Sequence, residues 1–319
     1  MEDTDIALMA HLMRRAGFGS TREELQECLN NGYEQTVDNL LDSRKPDSIN
    51  DALIRRYHPD HSSTHDMSGS GSYLLYRLAS TTEPLKEKIP LFWNNIFATG
   101  YAKVTNGKPL TDQFRMYREH GMGSLDTLLL EISRDPAMII WLDNIDNHSG
   151  AINENYGREL LELFSMGVGN YTEDDIKECS RAFTGWTIAN ADYTKQLAVR
   201  NSIAPYGKHA WRYEYNDQDH DDGPKTFLGE TGNFSGEDVI NIICKHPATA
   251  RFISRHMYHF FVADEPPVPQ WPYIPPRDIE AIRVLETAYF ENGHDIKQML
   301  RILFNSDFFE PDAINESSL

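Results

Sequence analysis

The chain has 319 residues and a formal net charge of −19, from 49 acids against 30 bases. That length suits one large domain or two lobes. A surface so acidic repels phosphate backbones and anionic bilayers, which argues against nucleic acid or a charged membrane face as partner.

The opening MEDTDIALMAHLMRRAGFG starts with acids, His11 interrupts its apolar run, and no small-residue cleavage site follows. It therefore does not read as a signal peptide. No window of about eighteen apolar residues exists, so no membrane span is expected and the chain as written reads as soluble and cytoplasmic. Residues 4–42 read as two or three short helices. Thr4 caps the first, Ile6, Met9, Leu12 and Met13 form its apolar face, and Gly17 ends it. Ser20 with Glu23 makes a capping-box pattern for the second, which stops near Gly32.

Residues 43–71 are polar and close in Ser and Gly, as a surface loop does. Within it, HPDHSSTHD gathers His58, Asp60, His61, His65 and Asp66. His61 and His65 have the i,i+4 spacing of helical metal ligands, but the intervening SST is a poor helix, and no metal ligands are assigned. Beyond it, a helix starts at SYLLYRLAS and breaks before Pro84, and further helices fit 84–97, 110–119, 124–133, 135–142, 153–166 and 173–184, with Thr172 and Asp175 starting the last. Aromatic and polar residues then alternate, and WRYEY (211–215) against KTFLG (225–229) suggests a hairpin around an Asp-rich turn. Helices return at 236–245, 247–262, 277–291 and 294–304, interrupted by the proline-rich linker EPPVPQWPYIPP (265–276).

The expectation is a mainly α, multi-helical globular domain with a small inserted β-hairpin. Its parts are N-terminal helices (1–42), a polar surface loop (43–71) and a main helical body (72–319) carrying the insert at about 187–234, all one structural unit. Cys28, Cys179 and Cys244 are far apart with no CxxC pair, which argues against disulfides and a thiolate zinc motif.

Several blocks, in order along nearly the whole chain, carry a resemblance. They are HLMRRAGFG (11–19), LFWNNIFATG (91–100), SRDPAMIIWLDN (133–144), NENYGRELLELFSMGVGNYTE (153–173) through RAFTGW (181–186), HDDGPKTFLGETGNF (220–234), PATARFISRHMYHFFV (247–262) and LFNSDFF (303–309). By these the chain resembles the bacterial domain-of-unknown-function family numbered 1800. The resemblance implies no established activity. It implies export for many members, and a setting beside sulfatase- or phosphatase-like proteins as possible partners. Many relatives carry histidines where this chain has Asn94 and Ile96.

Two readings compete for the helix at 153–166. Tyr156, Leu160, Leu161, Leu163 and Phe164 share one arc, while Glu154, Arg158, Glu162 and Ser165 lie opposite, with Glu159 beside them. The polar stripe is either a solvated face paired at i,i+4, or a pocket wall. The helix PATARFISRHMYHFF adds a third alternative, a buried and purely architectural Glu–Arg network, which stands beside the pocket wall. This helix is apolar round most of its circumference with His256 inside that arc, and its buried Arg255 needs an acidic partner, which the 153–166 helix offers.

The turn DHDDGPKTFLG adds Asp219, His220, Asp221, Asp222 and Lys225. Read as an enzyme, the chain uses Glu159, Glu162, His220 and Lys225 for acid–base chemistry on a polar or anionic substrate. Asn153, Arg158, Asp222 and Arg255 hold that substrate, joined by Arg15 from the first of the resembling blocks. No nucleotide or nicotinamide fingerprint and no nucleophile elbow is present, so no cofactor is assigned. The competing reading is a non-catalytic binding or assembly protein with an exposed apolar patch.

Overall fold

The computed structural model describes residues 2–42, 67–189, 191–192, 211–266 and 274–310. The His58–Asp66 group and most of the proline-rich linker lie outside the described residues. No described helix is long and apolar enough to cross a membrane.

The fold is mainly α. The first three helices are α1 (Glu2–Arg15), α2 (Arg22–Asn31) and α3 (Tyr33–Leu41). Thr4 lies inside α1 rather than at its cap. The capping box of α2 is Thr21 with Glu24, one residue beyond the expected pair. The sequence STREE offers both registers, and the Thr register is the one that closes both hydrogen bonds.

Next come α4 (Met67–Ser80), α5 (Pro84–Ile96), the single turn α6 (Tyr101–Val104), α7 (Gly107–His120), α8 (Leu125–Ser133) and α9 (Pro136–Trp141). Helix α4 begins inside the stretch read as loop, although MSGSGS is a poor helix former. Tertiary packing overrides propensity there, because Gly69, Tyr73 and Arg77 turn one face inward. The block LFWNNIFATG ends α5 in the aromatic core. Trp93 stacks on Phe97 with centroids 5.2 Å apart, Phe97 meets Phe164 edge-on, and the indole N–H of Trp93 donates to Gly121.

Helices α10 (Asn155–Glu162) and α11 (Glu173–Ala182) pack through a glycine. A Cβ on Gly157 would sit 2.2 Å from Ser180 Oγ, so only glycine allows the approach. Tyr156, Leu160, Leu161 and Phe164 are buried as the helical spacing predicts, while Leu163 is exposed because α10 has already ended.

The β excursion differs from the expected pairing. Strand β1 (Trp186–Ile188) pairs with β2 (Tyr213–Tyr215), and β3 (Lys225–Phe227) pairs with β4 (Glu230–Gly232), both antiparallel. WRYEY therefore does not pair with KTFLG. KTF instead turns back on itself, because Leu228 (φ 49°) and Gly229 (φ 83°) form a tight two-residue connection with both residues left-handed. The chain closes with α12 (Gly236–Lys245), α13 (Pro247–Phe261), α14 (Ile279–Glu291) and α15 (Ile296–Phe304). One continuous apolar core joins the N-terminal helices, α5, α8, α10, α13 and α15.

Candidate functional site

Two buried amides pin the loop between α9 and α10. Asn144 Nδ2 donates to the carbonyls of Phe183 and Trp186. Asn147 Nδ2 donates to Asn144 Oδ1 and to the carbonyl of Ser180, and Asn147 Oδ1 accepts from the Asn153 N–H. Together they fix this loop against the end of α11 and the start of β1. Gly185 (φ 79°) then admits the next segment: a Cβ there would lie 2.5 Å from the Asn216 carbonyl, and the Asn216 N–H donates to Gly185.

These constraints bring His148 to Asp219. His148 Nδ1 lies 2.5 Å from Asp219 Oδ2, and the Ser149 N–H donates to Asp219 Oδ1 at 3.1 Å. The pair stands at a cleft of about 660 Å³ whose walls also carry Asp146, Asp192, Glu214 and Asp217. A carboxylate accepting from Nδ1–H leaves Nε2 as the free basic nitrogen, the arrangement of an oriented general base. Five carboxylates make the cleft electronegative, which suits neutral polar or cationic groups and repels anions.

The residues singled out from sequence lie on four elements: α10, the 219–225 turn, α1 and α13. On α10, Arg158 is held by Glu154 at 3.4 Å and by both carboxylate oxygens of Glu173, a partner from α11. Glu162 accepts from the Tyr171 hydroxyl. Glu159 keeps one buried carboxylate oxygen without a hydrogen-bond partner, and burial, then the neighbouring Glu162, raises its pKa above the usual carboxylate range. Asn153 is spent on the turn into α10, accepting from the Asn155 N–H.

At the 219–225 turn, His220 Nδ1 lies 2.9 Å from the Thr184 carbonyl, and Arg181 grips Asp221 through two hydrogen bonds. Lys225 is buried, with Nζ donating to the carbonyls of Asp221 and Gly223. Its pKa is lowered, chiefly by burial. Asp222 is exposed. No hydrogen bond or ion pair among the described residues joins Glu159 or Glu162 to His220 or Lys225.

The remaining two arginines lie elsewhere. Arg15 sits at the end of α1 beside Lys88, whose Nζ caps that helix through the carbonyls of Arg14 and Gly17. Burial, then Arg15, lowers Lys88 to about 8. Arg255 pairs with Glu265 rather than with the acids of the 153–166 helix.

Sequence reasoning missed His148, which pairs with a residue 71 positions away. Its signal was a histidine in the polar loop DNIDNHSG between two helices, where functional groups concentrate. It also missed a second constellation. Asp126, Cys244 and His294 each place one donor atom within 4.8 Å of the other two.

No curated protein and no solved structure matches this chain. The family described as "Protein of unknown function (DUF1800)" matches residues 11–317, nearly the whole length, and the chain belongs to that family.

Proposed function

We propose that this chain is an enzyme that performs acid–base chemistry in the cleft beside β1 and β2. His148 acts as general base and Asp219 orients it. The observation that carries this reading is the 2.5 Å contact between His148 Nδ1 and Asp219 Oδ2 at the cleft wall. Asp219 accepts a hydrogen bond from Nδ1–H, its other oxygen is held by the Ser149 N–H, and Nε2 is left to take a proton from water or a substrate hydroxyl. The cleft's carboxylates narrow the substrate to a neutral, hydroxyl-rich or cationic molecule and disfavour an anionic one. In this reading Lys225 and Arg181 shape the turn that presents Asp219, and Asn153 helps hold the loop that presents His148. Glu159, with its raised pKa and unpartnered oxygen, is the candidate for a separate proton-donating group on α10.

The test is hydrolysis of neutral and cationic chromogenic esters, glycosides and anilides by wild type and His148→Ala. Turnover of at least one probe, reduced by about 10²-fold or more in the variant, is expected. No turnover of any probe, or equal turnover by His148→Ala, overturns the reading.

A second reading is a binding or assembly protein, with a partner of the sulfatase- or phosphatase-like kind that the family resemblance implies. It is favoured by Met67, Leu75 and Tyr76, large apolar side chains exposed on α4. Leu75→Glu then abolishes partner capture, whereas on the enzymatic reading it leaves turnover intact.

A further inference from the structure

The cluster of Asp126, Cys244 and His294 lies outside the cleft and is unused by the chemistry proposed there. Three elements build it. Asp126 is in the first turn of α8, Cys244 is near the end of α12, and His294 is in the junction between α14 and α15. The junction is laced to the segment before α8 by backbone bonds: Leu125 N–H to His294, Ile296 N–H to Gly123, and Lys297 N–H to Met122. Within this junction His294 takes φ 64°, a left-handed conformation that is uncommon for non-glycine residues but is more accessible to histidine than to most.

The side chains are equally constrained. The Tyr289 ring stacks on the His294 imidazole at 4.5 Å and 21°, and its hydroxyl donates to the Cys244 carbonyl at 2.8 Å. One aromatic residue therefore fixes both the imidazole plane and the backbone of the thiol. Cys244 is fully buried at the base, while the side chains of Asp126 and His294 keep 28% and 15% exposure, leaving one side open to an arriving ion.

The donors are one sulfur, one imidazole nitrogen and one carboxylate oxygen. Magnesium and calcium favour all-oxygen shells, whereas this mixture is the ligand set of zinc. From these observations we propose that Asp126, Cys244 and His294 form a zinc-binding site that ties α8, α12 and the α14–α15 junction together, with a fourth position open to water.

The geometry needs small movements only. Zinc–ligand bonds of about 2.0–2.3 Å place tetrahedral donors about 3.4 Å apart. The His294–Asp126 pair, now at 2.7 Å, opens by less than about 1 Å, and the thiol draws in from within 4.8 Å. On binding, the Cys244 S–H bond breaks and its proton leaves to solvent, the His294 Nδ1–H is given up as the neutral imidazole keeps its hydrogen on Nε2, and sulfur–zinc and nitrogen–zinc bonds form with no change of oxidation state.

The test uses the full chain, purified without a histidine tag, stripped with chelator and titrated with Co²⁺ as the spectroscopic stand-in. One equivalent of Co²⁺ should produce a thiolate-to-cobalt charge-transfer band with the visible bands of tetrahedral cobalt, and Zn²⁺ should bleach both. The charge-transfer band should vanish in Cys244→Ser and persist in Cys28→Ser. Cobalt affinity should fall at least about tenfold in His294→Gln and Asp126→Asn. Absence of the band in wild type, or its survival in Cys244→Ser, overturns the proposal. Should Cys244→Ser fail to fold, Asp126→Asn decides: unchanged cobalt affinity in that variant overturns the proposal as well.

Discussion

Arg255 Nε donates to Glu265 Oε1 at 2.9 Å, and the two side chains are 4% and 1% exposed. The rest of the guanidinium serves the carbonyls of Ile274 and Pro266, and Glu265 Oε2 accepts from the Arg277 N–H. The pair therefore fastens the middle of α13 to the segment leading into α14. Glu265→Gln removes the buried carboxylate that Arg255 Nε is bonded to, which costs about 3–5 kcal/mol. The double variant Arg255→Met/Glu265→Leu recovers much of that loss, because it removes both desolvated charges together. Equilibrium urea unfolding measures both values, and a loss below about 1 kcal/mol for Glu265→Gln marks the pair as no stronger than a surface one.

The acid limb of stability should depend on Asp221. Hydrogen bonds from Arg181 hold its carboxyl down at about 2 against an ordinary 3.8. A depressed carboxylate stabilises the fold fully above its unfolded pKa, and that contribution fades as pH falls from about 4 towards 2. Discounted for partial exposure, it is about 1–2 kcal/mol. Asp221→Asn should therefore lower Tm at pH 7 and show little difference from wild type near pH 2. Equal losses at both pH values contradict the linkage.

Two histidines set a second, higher pH window. His256 packs against Phe252, and burial, then His259 and Arg255, lowers it from 6.5 to about 4; His11 is lowered to about 4 as well, chiefly by burial. Between those values the unfolded chain takes up protons that the folded chain refuses, so stability falls as pH drops from 6.5 towards 4. For His256 the effect reaches about 2–3 kcal/mol. His256→Leu should flatten the Tm profile between pH 7 and pH 4.5, leaving the share due to His11. A profile unchanged in slope shows that His256 protonates freely in the folded state.

Lys225 separates catalytic from structural use of the 219–225 turn. Its Nζ is committed to two carbonyls of that turn. Lys225→Met should lower Tm by several degrees through the unsatisfied carbonyls, at a cost of about 1–3 kcal/mol, while turnover per folded molecule stays near wild type. Loss of turnover with Tm unchanged would return Lys225 to the reaction centre.

Local chemistry was the legible part of this protein. Thr172 and Asp175 cap α11 as their spacing indicates, and Tyr156, Leu160, Leu161 and Phe164 face the core as a helical period of 3.6 requires. Pairing across distance was not legible. Arg255 finds its acid ten residues on, within an irregular segment that has no period to read. Arg158 keeps its expected i,i+4 pair with Glu154, but takes Glu173 from the next helix in place of Glu162, where Gly157 lets α11 come close. The strands were mispaired because Leu228–Gly229 carries no Asn-Gly signature, although its geometry is that of a tight hairpin. His148–Asp219 and His294–Asp126 span 71 and 168 positions, and residues so far apart show no motif until the backbone has folded.

The most direct test of the acid–base account is kcat/KM for wild type, His148→Ala and Asp219→Asn on the best chromogenic probe, with circular dichroism confirming that each is folded. His148→Ala removes the base and should cost about 10²–10⁴-fold. Asp219→Asn keeps the size of the side chain but can donate to Nδ1, which favours the tautomer with its proton on Nε2, so it should lose activity to a similar extent. Folded variants that both turn over substrate at the wild-type rate would contradict the assignment of His148 and Asp219 as the reacting pair.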